Sequence, residues 1–254
     1  EFASFDLSGF KGTGNGLANS LTGGLGEDTL NGKGGADAMD GGDGSDTMIV
    51  DNIGDVTSDS GSDGAFDRVF ASASHTIGSG VDYLTLTGKG NINGTGNALG
   101  NVIEGNSGNN ILDGQGSFDN LSGGGGNDTL IGGDGSDNLH GGAGFDVLDG
   151  GTGSDTYWYD KSSSGKDTIL NFELGPTGDS LDLHELLVDY AEGLSNPNDF
   201  VRIKFVNGDM ILQVDVNGLA GGSKFADLAV LASYPDATVD QLVAGGNLQL
   251  AGAI

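Results

Sequence analysis

The sequence contains no cysteine in its 254 residues, so neither disulfides nor thiolate metal sites hold its fold. Proline occurs three times and no strict Gly-X-Y period is present, which excludes a collagen-like triple helix. Basic residues are scarce: 9 Lys and Arg stand against 37 Asp and Glu, for a formal net charge of −28. That balance argues against nucleic acid as a partner, since its recognition needs a basic footprint. It also repels the chain from anionic membrane surfaces. No apolar run approaches the roughly 20 residues of a membrane-spanning helix, so no membrane insertion is expected. No charged-then-apolar leader opens the sequence, a pattern compatible with export by a route that reads the C-terminus.

Glycine and aspartate are what the chain has in excess. Glycine accounts for 51 residues, and 31 Asp outnumber 6 Glu. Short carboxylates in a glycine background suit tight turns and hard cations such as Ca²⁺. Much of the glycine falls in a nine-residue unit. A weak copy, GNGLANSLT, starts at Gly14, followed by GGLGEDTLN at Gly23, GKGGADAMD at Gly32 and GGDGSDTMI at Gly41. The same register returns without a slip at Gly96, Gly105, Gly114, Gly123, Gly132, Gly141 and Gly150. The first six residues, GGxGxD, read as a turn in which glycines permit positive φ. The last three alternate polar, apolar, polar, which reads as a very short strand with its middle side chain inward. Those middle residues are Leu21, Leu30, Met39 and Met48, then Ile103, Leu112, Leu121, Leu130, Leu139, Leu148 and Tyr157. Because every unit ends in a turn, successive strands face each other across a thin core, two units to a coil. The pattern predicts an all-β fold, a parallel β-roll.

The repeat resembles the RTX (repeats-in-toxin) calcium-binding nonapeptide GGxGxDxUx, where U is a large apolar residue. Six units match GGxGxD in full, starting at Gly23, Gly41, Gly123, Gly132, Gly141 and Gly150. The resemblance implies several Ca²⁺ ions held between stacked turns by Asp carboxylates and turn carbonyls. The carboxylates are Asp28, Asp37, Asp46, Asp119, Asp128, Asp137, Asp146 and Asp155. In the first block the turn residues are Gly23, Gly24, Leu25, Gly26, Gly32, Gly34, Gly41, Gly42, Asp43 and Gly44. In the second they are Gly123, Gly124, Gly125, Gly126, Gly132, Gly133, Asp134, Gly135, Gly141, Gly142, Ala143, Gly144, Gly150, Gly151, Thr152 and Gly153. Lys33 replaces a second glycine, while Asn101 and Asn110 stand where Asp belongs, so those sites are expected to be weak or empty.

The units divide the chain. Residues 1–13 form a lead-in, 14–49 a first repeat block, 50–95 a spacer, 96–158 a second block and 159–254 a C-terminal segment. In the spacer, Arg68–Ser72 and Val81–Thr87 alternate like strands and are expected to continue the coil. Asp59, Asp63 and Asp67 superficially suggest an EF-hand, but Phe70 stands where its bidentate Glu belongs, so an acidic surface turn is expected. Tyr157, Trp158 and Tyr159 are read as a plug at the end of the core, with a sugar-stacking platform as the lesser alternative. Beyond them, Asp167–Phe172 and Gly178–Leu183 resemble the C-terminal region of type I secretion substrates, with Asn171 departing from the family form. Asn207-Gly208-Asp209 signals a hairpin, Thr238–Val243 a short helix and Asn247–Leu250 a last strand. This β-rich segment is expected to cap the roll, as solenoids require, and the resemblance adds a secretion role.

Enzymatic patterns fail. His184-Glu185 opens a zincin motif that Val188 breaks, and no G-x-S-x-G elbow occurs. His75, His140 and His184 read as ordinary polar residues. The resemblance implies a non-catalytic calcium-binding module at the C-terminal end of a large extracellular or surface-bound bacterial protein. It would fold on Ca²⁺ after passage through the type I secretion machinery, and an adhesin is the favoured parent. Two alternatives stay open: the tail of a secreted protease, lipase or alginate epimerase, and a roll that binds a cell-surface or extracellular polysaccharide.

Overall fold

The alternation around each inward Leu or Met produces strands of three to six residues, too short to stand alone and stable only when stacked. The fold is described here from a computed structural model, for residues 9–187, 201–207, 209–215, 225–232 and 237–250. Most of the lead-in, Val188 of the broken zincin pattern, Gly208 of the hairpin and parts of the C-terminal segment lie outside the described residues. Among the described residues there are 23 strands, β1–β23 in chain order, and one helix, α1.

Odd-numbered strands, β21 (Asp209–Val214) excepted, form one sheet of 11, running β1 (Lys11–Thr13), β3 (Thr29–Asn31), β5 (Thr47–Val50), β7 (Arg68–Ala71), β9 (Tyr83–Leu86), β11 (Val102–Glu104), β13 (Asn120–Gly125), β15 (Asn138–Ala143), β17 (Thr156–Trp158), β19 (Ser180–Asp182) and β23 (Leu248–Gln249). Even-numbered strands make the opposite face in two pieces. The first is β2 (Ser20–Leu25), β4 (Ala38–Asp43) and β6 (Val56–Ser58). The second runs β8 (His75–Thr76), β10 (Gly94–Thr95), β12 (Ile111–Gly116), β14 (Thr129–Asp134), β16 (Val147–Thr152) and β18 (Asp167–Leu170), then β22 (Ala226–Leu231), β21 (Asp209–Val214) and β20 (Val201–Val206).

Pairing from β1 to β19 is parallel, and in the repeat blocks partners stand 18 residues apart: Leu30 faces Met48, Leu112 faces Leu130 and Leu121 faces Leu139. The fold is therefore a parallel β-solenoid of two-unit coils, as the nine-residue period requires. Its core is a column of rungs, and Leu30, Met48, Val69, Leu84, Ile103, Leu112, Leu130 and Leu148 are all at most 1% exposed.

Strands of residues 50–95 stack in the same sheets, but their even-face rungs are unusual. Thr57, His75 and Gly94 occupy the inward positions that Met39 and Leu112 fill elsewhere. Thr57 Oγ1 and His75 Nε2 lie 2.8 Å apart in the interior, so the two polar rungs satisfy each other. His75 is thus a core residue, contrary to its reading as an ordinary polar side chain.

The aromatic plug is also corrected. The coil does not stop at Tyr157, because β17 pairs with β19 and β19 with β23. Tyr157 and Tyr159 are interior rungs, while Trp158 turns outward and stacks on His140 at 3.8 Å between centroids. The glycine turns end there, but the inward alternation persists through Ile169 and Leu181.

At the far end, β22 continues the even face and pairs antiparallel with β21, which pairs antiparallel with β20. Helix α1 (Val239–Gly245) has Thr238 as N-cap in a capping box with Gln241. After it, Asn247 donates from Nδ2 to the Asp179 carbonyl at 2.6 Å and holds β23 on the end of the odd sheet. No helix among the described residues is long and apolar enough to cross a membrane.

Candidate calcium sites

Stacking at 18 residues brings the turn carboxylates into two columns, one along each edge of the roll. Within a column, one oxygen of each Asp accepts a hydrogen bond from the backbone N–H of the residue one coil earlier. Asp28 N–H donates to Asp46 Oδ1 at 2.7 Å, Asp119 to Asp137 at 2.8 Å and Asp137 to Asp155 at 2.8 Å. Along the other edge, Asn110 donates to Asp128 at 2.7 Å and Asp128 to Asp146 at 2.8 Å. The turn N–H groups are satisfied, and each carboxylate is fixed in direction.

The second oxygen is left without a partner. Oδ2 is buried and unbonded in Asp28, Asp37, Asp46, Asp67, Asp119, Asp128, Asp137, Asp146 and Asp155. Every one of these side chains is at most 2% exposed. A buried ionised carboxylate is costly unless it is paired or coordinates a metal. Burial accordingly pushes Asp119 up to about 7 and Asp128 and Asp155 up to about 6.

The orphaned oxygens point at shaped space. A Cβ built on Gly23, Gly41, Gly123, Gly132, Gly141 or Gly150 would collide with the Oδ2 of the Asp five residues on. At Gly123 and Gly132 the next nearest group is the carbonyl oxygen of Gly141 or Gly150, one coil later, at 2.6 and 2.5 Å. Glycine is required there because its missing side chain leaves a cradle between a carboxylate and a carbonyl. Hard oxygens converging on a buried negative pocket suit Ca²⁺.

The other turn positions serve the stack. Gly24, Gly42, Gly124, Gly133, Gly142 and Gly151 all have positive φ, and Lys33 adopts φ 63° in the same role with its side chain exposed. Third-position carbonyls are taken by the ladder: those of Asp43, Ala143 and Thr152 accept from the N–H groups of Gly26, Gly126 and Gly135 at 2.7–2.9 Å. Leu25 pairs with Asp43, Gly125 with Ala143 and Asp134 with Thr152 across neighbouring coils. Gly44, Gly144 and Gly153 sit so close to the preceding coil that a Cβ would strike the carbonyl of Gly26, Gly126 or Gly135. Gly34 has open space.

Asn101 and Asn110 show what happens without the charge. Their Nδ2 groups donate to the carbonyls of Val81 at 3.1 Å and Ile92 at 2.6 Å, and their Oδ1 atoms accept from Asn97 and Asn106. The amide itself bridges carbonyls that a cation would otherwise draw together. Asp55 and Asp179 close their columns differently: the second oxygen of each accepts a backbone N–H, from Asp51 and Asn52 in one case and Glu173 in the other. Sequence reasoning missed Asp55, Asp67, Asp82, Asp167 and Asp179 as members of the columns. The only signal they offer is Asp two residues before an inward side chain, without the glycines.

His140 lies 3.1 Å from Ser163 Oγ and 3.4 Å from Asp160, but both approach the same ring nitrogen, Nε2. A catalytic triad places nucleophile and orienting acid on opposite nitrogens of the histidine, so this group does not have that arrangement. His184 is exposed between Asp182 and Glu185.

The family model of the RTX calcium-binding nonapeptide repeat, in 4 copies, matches residues 13–48, 95–130 and 131–161. No match was found among curated proteins. Eight of the nine orphaned carboxylates lie inside the matched spans, Asp67 alone falling outside. The chain therefore carries RTX calcium-binding nonapeptide repeats, and the β-roll they build is a calcium-binding, non-catalytic structural module.

Proposed function

We propose that this chain folds outside the cell when Ca²⁺ neutralises its carboxylate columns, as the C-terminal region of a type I secreted bacterial protein. The observation that carries the reading is the set of nine buried, unpartnered carboxylate oxygens. The turn Asp residues would hold the ions together with the turn carbonyls, Asp28 to Asp155 serving as the carboxylate ligands. Bound Ca²⁺ supplies the positive charge that the core of the turns lacks. Where free calcium is low, the same columns repel and keep the chain extended, a form suited to passage through a narrow channel. The resemblance of Asp167–Phe172 and Gly178–Leu183 to secretion substrates, and of the last third to large surface adhesins, supports an adhesin parent.

Titrating the metal-stripped chain with Ca²⁺ and with Mg²⁺ under circular dichroism tests the first half. β-structure is expected to appear at millimolar Ca²⁺, with Mg²⁺ a poor substitute because it dehydrates reluctantly and demands octahedral geometry. Native-like spectra in excess chelator would overturn the reading. For the second half, removal of residues 159–254 is expected to abolish appearance of the chain in the medium of secreting cells. Export at the intact level would refute the secretion role.

A further inference from the structure

Asp67 owes its orphaned oxygen to a turn that is not a nonapeptide at all. From Asp46 the column steps 21 residues to Asp67 instead of 18, so three extra residues enter this coil. They fall between β6 and β7. Because Asp40 pairs with Ser58, the next residue, Asp59, occupies the register in which a regular coil would place the first glycine above Gly41. A residue that bears a carboxylate therefore stands where the other sites have a glycine.

The extra residues are pinned over this position. Asp59 Oδ1 accepts from Gly42 N at 3.0 Å and from Gly61 N at 3.2 Å, and Asp59 N donates to the Ser79 carbonyl at 2.8 Å. Ser60 donates through both N and Oγ to Asp40, and Ser62 N donates to Asp43 Oδ1 at 2.8 Å. The result is that Asp46, Asp59 and Asp67 each offer a carboxylate oxygen within 4.8 Å of the other two. Asp46 and Asp67 are 1% and 0% exposed, and the second oxygen of each is buried with no hydrogen-bond partner. Asp46 Oδ2 lies against Gly41, the residue in register with Asp59. Among the described residues no Lys or Arg pairs with the three. The adjacent Arg68 lies instead over the Tyr83 ring, 5.1 Å from its centroid.

We propose that Asp59 and Asp67, which lie outside the glycine-turn pattern, join Asp46 of the last full unit of the first block in a three-carboxylate calcium site at the joint with the spacer. The expected acidic surface turn is thereby corrected: only Asp63 of that trio is exposed, and no EF-hand loop is formed. Three carboxylates supply more charge than a turn that contributes carbonyls, and calcium affinity rises with ligand charge count. This site therefore fills first as calcium rises and fixes the loop of residues 59–67 onto the coil beneath. The inference rests on the calcium reading given above.

The test counts bound ions in the full chain by equilibrium dialysis with Ca²⁺, alongside circular dichroism at saturating calcium. Asp59→Asn is compared with Asp63→Asn, which alters the same loop but not the site. Asp59→Asn is expected to bind one ion fewer and to need about tenfold more calcium for its first binding event, while folding normally at saturation. Asp63→Asn is expected to match the parent chain. Equal ion counts and equal first affinities for parent and Asp59→Asn would overturn the site while leaving the calcium reading intact. No calcium binding by the parent chain would overturn both. Should Asp59→Asn not fold, anomalous scattering from Tb³⁺-soaked crystals of the parent decides. A peak between the three carboxylates supports the site, and peaks at the glycine turns with none there refute it.

Discussion

Acid should fold this protein when calcium is withheld, the reverse of ordinary acid denaturation. In the metal-free fold, burial raises Asp67, Asp119 and Asp167 from 3.8 to about 7 and Asp46, Asp128, Asp155 and Asp179 to about 6. Between the ordinary carboxylate value and those raised values, the folded chain binds protons that the unfolded chain does not. Stability from these groups is therefore complete below pH 3.8 and is lost as pH rises through about 6 to 7. For Asp119 the interval corresponds to about 4 kcal/mol, at about 1.4 kcal/mol per pH unit. Neighbouring carboxylates in a column share part of that effect, since Asp137 also raises Asp119, so the values do not add in full. Three such groups nonetheless match the whole stability of a typical domain, about 5–15 kcal/mol. At neutral pH the columns must be neutralised by something, and protons can do it as well as Ca²⁺.

Two histidines act in the opposite sense. Burial lowers His75 and His140 below 6.5, so their contribution is present above that value and is lost as pH falls below it. Seven carboxylates outweigh two imidazoles, and the net change on acidification is a gain. The assay follows metal-stripped chain by far-ultraviolet circular dichroism and urea midpoint from about pH 7.5 down to about pH 4.5. Sedimentation velocity guards against association near the pI of 4.1. The expected result is rising β-signal and rising urea midpoint in a monomer. An unchanged or falling signal at about pH 4.5 would show that the carboxylates are not the destabilising groups.

Gly132→Ala should raise the calcium midpoint of folding several-fold, because its Cβ would strike Asp137 Oδ2 and the Gly150 carbonyl. Gly34→Ala, at a position with open space, should leave the midpoint unchanged, and equal midpoints for the two would refute the cradle. Asp128→Asn should bind fewer ions yet fold at lower calcium than Asp128→Ala, since Asn110 shows the amide closing the same position by itself; dialysis and circular dichroism in parallel measure both. Thr57→Val should cost about 1–3 kcal/mol in calcium-saturated urea unfolding by leaving His75 Nε2 without its buried partner. A loss under about 0.5 kcal/mol would show that the pair does not support the core.

The coil was legible because glycine and alternation are both local signals. GGxGxD marks a turn, a single large apolar residue marks the inward side, and an odd period brings successive units to opposite faces. Leu30, Met48, Leu112 and Leu130 needed nothing more. The column membership of Asp55, Asp67, Asp82, Asp167 and Asp179 was not legible, because the glycines that flag the turn are missing and, except at Asp55, the step departs from 18 residues, to 21, 15, 21 and 24. His75 and Thr57 were missed for a different reason. A polar residue reads as outward until its partner 18 residues away is placed beside it. Tyr157 looks like an end in the sequence because the turn signal stops there, whereas the strand signal that stacks coils runs on through Ile169 and Leu181.

What divides the solenoid is the chemistry of one side-chain position. Where that position is Asp over a bare glycine, a buried oxygen is left for a cation, and this holds through both repeat blocks. At the start of the second block both columns are closed by neutral groups: Asn97 and Asn101 reach Val81, Asn106 reaches Gly90, and Asn110 reaches Ile92. This stretch, unlike the spacer with its mutually repelling Asp59, Asp67 and Asp82, sets no carboxylate at those positions for calcium to relieve. It is nevertheless only a few coils long, and a solenoid segment whose ends lack neighbours leaves its apolar rungs open to water. The neutral stretch therefore cannot stand by itself, and the charged coils need calcium, or protons at low pH, to form. The odd-numbered face runs unbroken past this stretch, from β1 to β19, so calcium bound in either block is expected to stabilise the coils between them through that shared pairing.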